Sequence, residues 1–314
     1  MTSCLGSWLR AAIVGVICMW SAAAAAEGRI KIGCTGSTDC ASAVVAAKEG
    51  IFKKNGLDAE MVLIGLASNI PAALVSNSIQ IGGLTPPMLL QADDGGLDLV
   101  ALAGASSTAK ETVGTIGVIA KRELPIKVAS DFVGKKVGAP GLGVFLDVLF
   151  RQWLIQKGVD PSKVSFVEVT FATMNDLLKT GTLDAVIASE PTLSRISGPE
   201  GAGTVVANFM SDFPEKQTVV VYSATRQWAA ANPKEVAAYR KSIVEAAEIV
   251  NRDPDNARQA MSEFTKVSMD ILKSVRLSVS DPAITTEQLG WWMDIMKQQK
   301  RLQNITSGAG IVLQ

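Results

Sequence analysis

Asp131-Phe-Val-Gly-Lys-Lys-Val-Gly-Ala-Pro140-Gly-Leu-Gly143 opens the stretch whose reading decides the fold, and Thr180-Gly-Thr-Leu-Asp184-Ala-Val-Ile-Ala-Ser-Glu190-Pro191 closes it. Between them lie a helix-length apolar run and one further strand. The order is strand, glycine-rich turn, helix, strand, helix, strand, acidic loop. That is the grammar of an open α/β sheet with a ligand crevice at its strand ends. Turns of the same kind lie earlier, at Cys34–Cys40 and Leu84–Pro87. Two such crevices facing each other predict a clamp around a small molecule.

Working outward, the first half alternates. Strands are predicted at Arg29–Cys34, Asp58–Ile64, Ile79–Leu84 and Leu97–Ala103, and helices at Ala41–Glu49, Asn69–Ser76 and Pro86–Ala92. Such short exchanges imply parallel pairing with right-handed crossovers. Thr85 is placed to cap the helix that Pro86 opens. Thr112–Lys121 and Gln217–Ser223 read as β segments crossing between two lobes. After Ser223 the chain turns helical. Asn232-Pro233 with Glu235 reads as a cap, followed by Val236, Tyr239, Ile243, Ala247 and Val250 on one face. Thr285 with Gln288 repeats the cap before a helix over Leu289–Leu302, and Ser307–Gln314 is expected to be a loosely held tail.

Residues 1–26 read as a signal peptide cleaved near Ala26. Arg10 is their one charge, Ala11–Trp20 is apolar but short for a bilayer span, and Ala-x-Ala sites precede Glu27. The mature chain is therefore expected in an oxidising compartment. What remains of the 314 residues exceeds what one hydrophobic core usually serves, which predicts two lobes. Lys and Arg number 30 against 30 Asp and Glu, and no basic stripe with interleaved aromatics exists, so nucleic acid is not expected as a partner.

The chemistry-bearing residues exclude more than they offer. No histidine occurs anywhere, which removes Ser-His-Asp triads, Cys-His pairs and histidine-based metal sites. No P-loop spacing exists, and Gly138-Ala-Pro-Gly141-Leu-Gly143 has the wrong spacing for a dinucleotide fingerprint. A carboxylate pair such as Asp39 and Glu190 could do acid–base work, but any cleft can hold two acids, so the pair points to no reaction. No enzymatic activity, cofactor or metal is expected. Cys34 and Cys40 are close enough in sequence to bridge if their turn folds back; the alternative is two small apolar residues at a strand end and on the next helix.

Binding suits the residues better. Gly141 and Gly143 let backbone approach a ligand, and a helix from about Leu142 would aim its N–H groups at it. Ser37, Thr38, Ser106, Ser107 and Thr108 offer hydroxyls at strand ends, with ordinary capping as the plainer reading. Phe145 and Phe171 are candidates for the crevice wall or for core. Trp291-Trp292 reads as one ring inward and one over the surface, and Lys297, Lys300 and Arg301 as a solvated face. Glu190 either meets a donor on the ligand or accepts from a protein donor that shapes its loop.

Asp131-Phe-Val-Gly-Lys-Lys-Val-Gly, the Gly181-x-Leu-Asp184-Ala spacing, Glu190-Pro191, Ala46-Ala-Lys-Glu-Gly-Ile-Phe-Lys-Lys-Asn-Gly-Leu57 and Leu74-Val-Ser-Asn-Ser-Ile-Gln-Ile-Gly82 together resemble substrate-binding proteins of ABC importers. The branch is that of aliphatic sulfonates, nitrate, taurine and thiamine-pyrimidine precursors. Asn77-Ser78 departs from its usual Gly-Asp or Gly-Glu. Asn232-Pro-Lys-Glu-Val236 matches as well, and the resemblance spans nearly all of residues 28–300.

The resemblance implies a two-lobed periplasmic-binding-protein type II fold, each lobe an open, mostly parallel sheet flanked by helices. It implies lobe one from residues 27–118 and 222–314, lobe two from residues 119–221, and a ligand cleft between them. It further implies a periplasmic monomer that closes on a small-molecule ligand and passes it to an ABC permease in the inner membrane. By position its ligand contacts are Ser37, Thr38, Asp39, Thr85, Pro86, Thr108, Gly141, Gly143, Val144 and Glu190. Leu142, Val144 and Phe145 replace the hydroxyl-rich residues of sulfonate binders, which favours a ligand with an apolar or aromatic body over a small hydrated anion. A ligand sensor signalling through a membrane receptor is the alternative on the same fold. A pyrimidine-precursor synthase is remote, because those enzymes depend on histidine and a cysteine-rich motif that this chain lacks.

Overall fold

The computed structural model describes residues 29–305 and 307–313, so the expected leader over residues 1–26 lies outside the described residues. The strands are β1 (Ile30–Cys34), β2 (Ala59–Leu63), β3 (Ile81–Leu84), β4 (Leu99–Ser107), β5 (Ile116–Lys121), β6 (Lys136–Ala139), β7 (Ser165–Glu168), β8 (Ala185–Ser189), β9 (Gly203–Ala207), β10 (Thr218–Thr225) and β11 (Val279–Ser280). They form a six-stranded sheet in the order β11-β4-β10-β3-β1-β2 and a five-stranded sheet in the order β7-β6-β8-β5-β9. Helices flank both.

Pairing is parallel where the sequence alternates most regularly: β1 with β2 and β3, and β6 with β7 and β8. The rest is antiparallel, so each sheet is mixed, not mostly parallel. β4 does not join β3. The chain returning from the second sheet enters as β10, antiparallel to both β3 and β4, and separates them. In the second sheet β5 runs antiparallel to β8 and β9. Central strands β4 and β8 are buried along their whole length, which their continuous apolar or small residues allow.

β4 extends through Ser107, four residues beyond the expected end at Ala103. The weak β-formers Gly104-Ala-Ser-Ser are held there by packing. A Cβ on Gly104 would lie 2.2 Å from the Ala283 carbonyl oxygen and 2.4 Å from that of Asp281, so only glycine admits this close approach. The Gly104 N–H donates to Pro282 O at 2.9 Å.

The chain passes between sheets at residues 108–115 and 208–217. The dividing positions expected at Val118/Ile119 and Val221/Tyr222 thus fall inside β5 and β10, because both strands continue their own sheet's pairing. Residues 112–115, expected as the start of a β segment, belong instead to a 3-10 helix over Lys110–Thr115.

The two passages are clipped together at Thr108. Its N–H donates to Gln217 O (2.8 Å) and its carbonyl accepts from Lys216 N (2.7 Å). Its hydroxyl donates to Pro214 O (3.1 Å) and accepts from Gln217 N (2.8 Å).

Of the expected caps, Thr285 and Gln288 form a reciprocal box over the helix Thr286–Gln298. Asn232 makes no side-chain cap on the helix Pro233–Arg252 that follows it; its amide donates back to Trp228 O at 2.7 Å, at the end of the preceding helix Arg226–Ala231. Val236, Tyr239, Ile243, Ala247 and Val250 are all buried, as their spacing predicts. The tail is tied down, contrary to expectation. Leu313 N donates to Ala101 O (3.0 Å), Ala101 N donates to Ile311 O (2.8 Å), and Arg226 holds Gly310 O (2.9 Å). Among the described residues no helix is long and apolar enough to cross a membrane.

Candidate functional site

The strand ends of the two sheets face each other across a cleft. From the first sheet come the β1 turn with Thr35, Ser37 and Asp39, the β3 end with Gly83 and Thr85, and Met88 on the helix Pro86–Asp94. From the second come Ile116, Pro140, Val144, Phe145, Leu146, Phe171 and Ser189. The cleft is partly open and leaves about 50 Å³ for the centres of water-sized molecules, room for a few waters. Cleft walls are mostly apolar, with hydroxyls and one carboxylate.

Across the cleft the lobes touch through specific hydrogen bonds. The Thr85 hydroxyl makes no cap on its own helix. It accepts instead from Phe145 N (3.3 Å), the first helical residue of the opposite lobe. Gln91 Nε2 donates to Gly143 O, and the Ser68 hydroxyl to Glu168. The second-lobe helix spans Phe145–Gln156, not from Leu142, because Gly143 adopts φ 77° and breaks the run. Gly143 N then donates to Asp147 Oδ2 at 2.7 Å. A Cβ on Gly141 would lie 2.9 Å from Val144 Cγ2, so glycine there lets the turn fold over Val144.

Not every expected contact residue faces the cleft. Thr38 pairs its hydroxyl with Ser278 (3.0 Å), Pro86 is buried in the first helical turn, and Thr108 clips the crossing segments. Leu142 is 42% exposed and outside the lining, so only Val144 and Phe145 of the expected apolar trio form the wall. Phe171, for which crevice wall and core were both open, lines the cleft. Glu190 lies outside the lining and accepts from Ser194 N (3.0 Å) and Ser194 Oγ (2.7 Å), so it does not meet Asp39 as an acid–base pair there. Asp39 accepts from Ser106 Oγ at 3.0 Å. Among the described residues no group of three or more potential metal ligands gathers.

Thr35, Ser189, Gln91 and Asp147 belong to the site without standing among the expected residues. Asp147 carried a signal: one acid inside the apolar run Phe145–Phe150, with Arg151 one helical turn on. In the structure its buried carboxylate accepts from Gly143 N, Arg151 Nε (2.7 Å) and Arg301 Nη2 (3.2 Å). Arg301 therefore belongs to this network and not to a solvated face.

Cys34 and Cys40 form a disulfide with Cα atoms 6.5 Å apart. Gly83 lies under it: a Cβ there would sit 2.8 Å from Cys40 Sγ and 2.9 Å from Cys34 Sγ. The bridge closes the turn that carries Ser37 and Asp39. Non-reducing alkylation of the purified protein should find no free thiol by mass spectrometry, and Cys34→Ser with Cys40→Ser should cost about 2 kcal/mol, as expected for so short a loop. Two alkylated thiols in the native protein would contradict this.

Burial pushes the Glu190 carboxyl above the usual glutamate range, opposed by its two hydrogen bonds from Ser194. The folded protein then binds this proton more tightly than the unfolded chain. Its stabilising contribution is full below the unfolded-state pKa and is lost as pH rises through the folded-state value. Glu190→Gln can still accept from Ser194 N through its amide oxygen and donate to Ser194 Oγ through its amide nitrogen, and it removes this loss. Its melting temperature should therefore gain on wild type as pH rises from acid to neutral. Glu190→Ala, which strands the Ser194 donors, should lose about 1 kcal/mol. Parallel pH profiles for Glu190→Gln and wild type would refute the assignment.

The model of the NMT1-like family matches residues 23–264. A Brucella abortus (strain 2308) protein named for binding is 24% identical over 245 residues, which are 78% of this chain and 73% of that protein. A Haemophilus influenzae protein named for thiamine biosynthesis is 27% identical over 231 residues, 72% of this chain and 69% of its own. Among solved structures, the alkanesulfonate-binding protein SsuA from Xanthomonas axonopodis pv. citri, bound to MOPS, superposes with a TM-score of 0.75 at 15% identity, covering 91% of this chain and 98% of its own. The nitrate-binding protein NrtA from Synechocystis PCC 6803 gives 0.73 at 19% identity, covering 88% and 83%. At these identities the likeness to both structures is one of fold.

Proposed function

This chain belongs to the NMT1-like family, and from that premise we propose that it is the periplasmic solute-binding component of an ABC importer. It captures a small ligand between its lobes and delivers it to a membrane permease. The observation that carries this reading is the shared wall of the cleft. Ser37, Asp39 and Thr85 come from one lobe and Val144, Phe145 and Phe171 from the other. A ligand touching both walls is bound fully only when the lobes are together, and that differential contact is what drives closure.

Binding suits this lining better than catalysis: among the described residues its carboxylate, Asp39, accepts from Ser106 and from no hydroxyl of the cleft wall. The contact set proposed is Ser37, Asp39, Thr85 and Val144, with Thr35, Phe145, Phe171 and Ser189 added. Gly141 and Gly143 shape the turn, while Thr108 acts at the hinge. Lobe one is proposed as residues 29–107 with the chain from Thr218 onward, and lobe two as residues 116–207.

A thermal-shift screen tests the reading. A true ligand at about 100 times its Kd should add roughly 2.7 kcal/mol, and small-angle scattering should show compaction with that ligand. Uptake of the labelled ligand should fail in a strain lacking the gene. Binding without compaction, or undiminished uptake, would overturn the proposal.

A further inference from the structure

We propose that the captured solute carries a positively charged nitrogen on a compact apolar body, and that Asp39 is the group that recognises the charge. The proposal rests on the reading of the cleft as the ligand site and adds the class of ligand it takes.

Asp39 is 6% exposed and lines the cleft. Among the described residues its side chain has one hydrogen bond, from Ser106 Oγ, and it takes part in none of their ion pairs. Among the described residues no other charged side chain lines the cleft. A smaller cavity on the far side of Asp39, walled by Ser107, Thr112, Thr115 and Ser278 among others, adds hydroxyls and no cation. Arg195 belongs to an adjoining groove, where it donates to Phe171 O at 2.6 Å.

A carboxylate largely shielded from bulk water is stabilised by a partner that meets its charge. Every other acid buried to this degree in the structure is met more fully: Asp147 by two arginines and a backbone N–H, Glu190 by two donors from Ser194. Of these three acids only Asp39 has a carboxylate oxygen with no hydrogen-bond partner among the described residues, and Asp39 lines the cleft. An ammonium or amidinium group supplies the missing charge and its donors at once. Val144, Met88 and the aromatic residues Phe145 and Phe171 would enclose the body of such a ligand, and aromatic rings add attraction for a cation. A sulfonate, nitrate or carboxylate would instead sit beside an uncompensated negative charge, which opposes binding.

The test varies charge on the probe at constant shape. Benzylamine, benzyl alcohol and benzoate form one series, and butylamine, butanol and butyrate another. Binding of each is measured by calorimetry and thermal shift on the mature protein. In at least one series the amine should bind tenfold or more tighter than its alcohol and its carboxylate. Asp39→Asn should abolish that preference. If Asp39→Asn fails to fold, the wild-type series still decides, since there the charge changes only on the probe. Equal or tighter binding by an alcohol or carboxylate overturns the charge assignment and leaves the cleft standing as the ligand site. Absence of binding by all six probes overturns both.

Discussion

Trp292→Ala should lower the unfolding free energy by about 3–5 kcal/mol, the usual cost of truncating a large buried aromatic. Trp292 is fully buried on the helix Thr286–Gln298, and its indole N–H donates to Thr218 O at 3.0 Å, at the first residue of β10. Its ring packs against Phe145 with centroids 5.2 Å apart, and against Trp291 at 4.7 Å. One side chain thus joins the late helix, the strand that divides the first sheet, and a residue of the cleft wall. Trp292→Phe should cost less than alanine but still leave the Thr218 carbonyl without its donor, a loss of about 1–3 kcal/mol. Urea denaturation followed by far-ultraviolet circular dichroism gives both numbers. A Trp292→Ala variant within about 0.5 kcal/mol of wild type, the range of neutral surface changes, would mean that the ring is not the junction described.

What could be read in advance follows the range of the interactions. The alternation of strand and helix from Arg29 to Ala103, the helix face from Val236 to Val250 and the Thr285–Gln288 box rest on neighbours within a few residues, and all appear in the structure. Long-range partners were hidden. Nothing in Thr218–Thr225 announces that it will enter between β3 and β4, and nothing in the terminal residues announces the hydrogen bonds to Ala101.

The site divides the same way. The turns at Ser37–Asp39, Thr85 and Gly141–Val144 were legible because glycines, prolines and hydroxyls at strand ends mark them. Which hydroxyls face the cleft was not, since Thr38, Thr108 and Glu190 find protein partners tens to hundreds of residues away or in the next helical turn. Thr85 shows the difference most plainly. Local rules make it a cap for its own helix, but the folded chain gives its hydroxyl to the helix of the other lobe.

Asp147→Ala should be as damaging as the loss of Trp292, and should reach ligand binding more directly. Its carboxylate is fully buried and bonds to Gly143 N, Arg151 Nε and Arg301 Nη2. Burial already pulls the Arg301 guanidinium below the usual arginine range, with Asp147 opposing that pull. Removing the acid leaves two partly buried arginines uncompensated, a change that typically costs about 3–5 kcal/mol. It also frees the N–H of Gly143, whose left-handed turn sets the start of the helix at Phe145 and so the position of Val144 and Phe145 in the cleft. Affinity for any ligand found by screening should therefore fall along with stability.

Asp147→Asn separates the two effects. Its amide oxygen still accepts from Gly143 N, so the turn and much of the affinity should survive while the charge compensation is lost. Arg301→Ala should be milder than Asp147→Ala, because Asp147 keeps Arg151 and Gly143. The double variant Asp147→Ala with Arg301→Ala should be less destabilised than the sum of its parts, as expected for residues in one network. Strict additivity in that cycle, or an Asp147→Ala protein with wild-type stability and affinity, would show that the turn holds its shape without the acid.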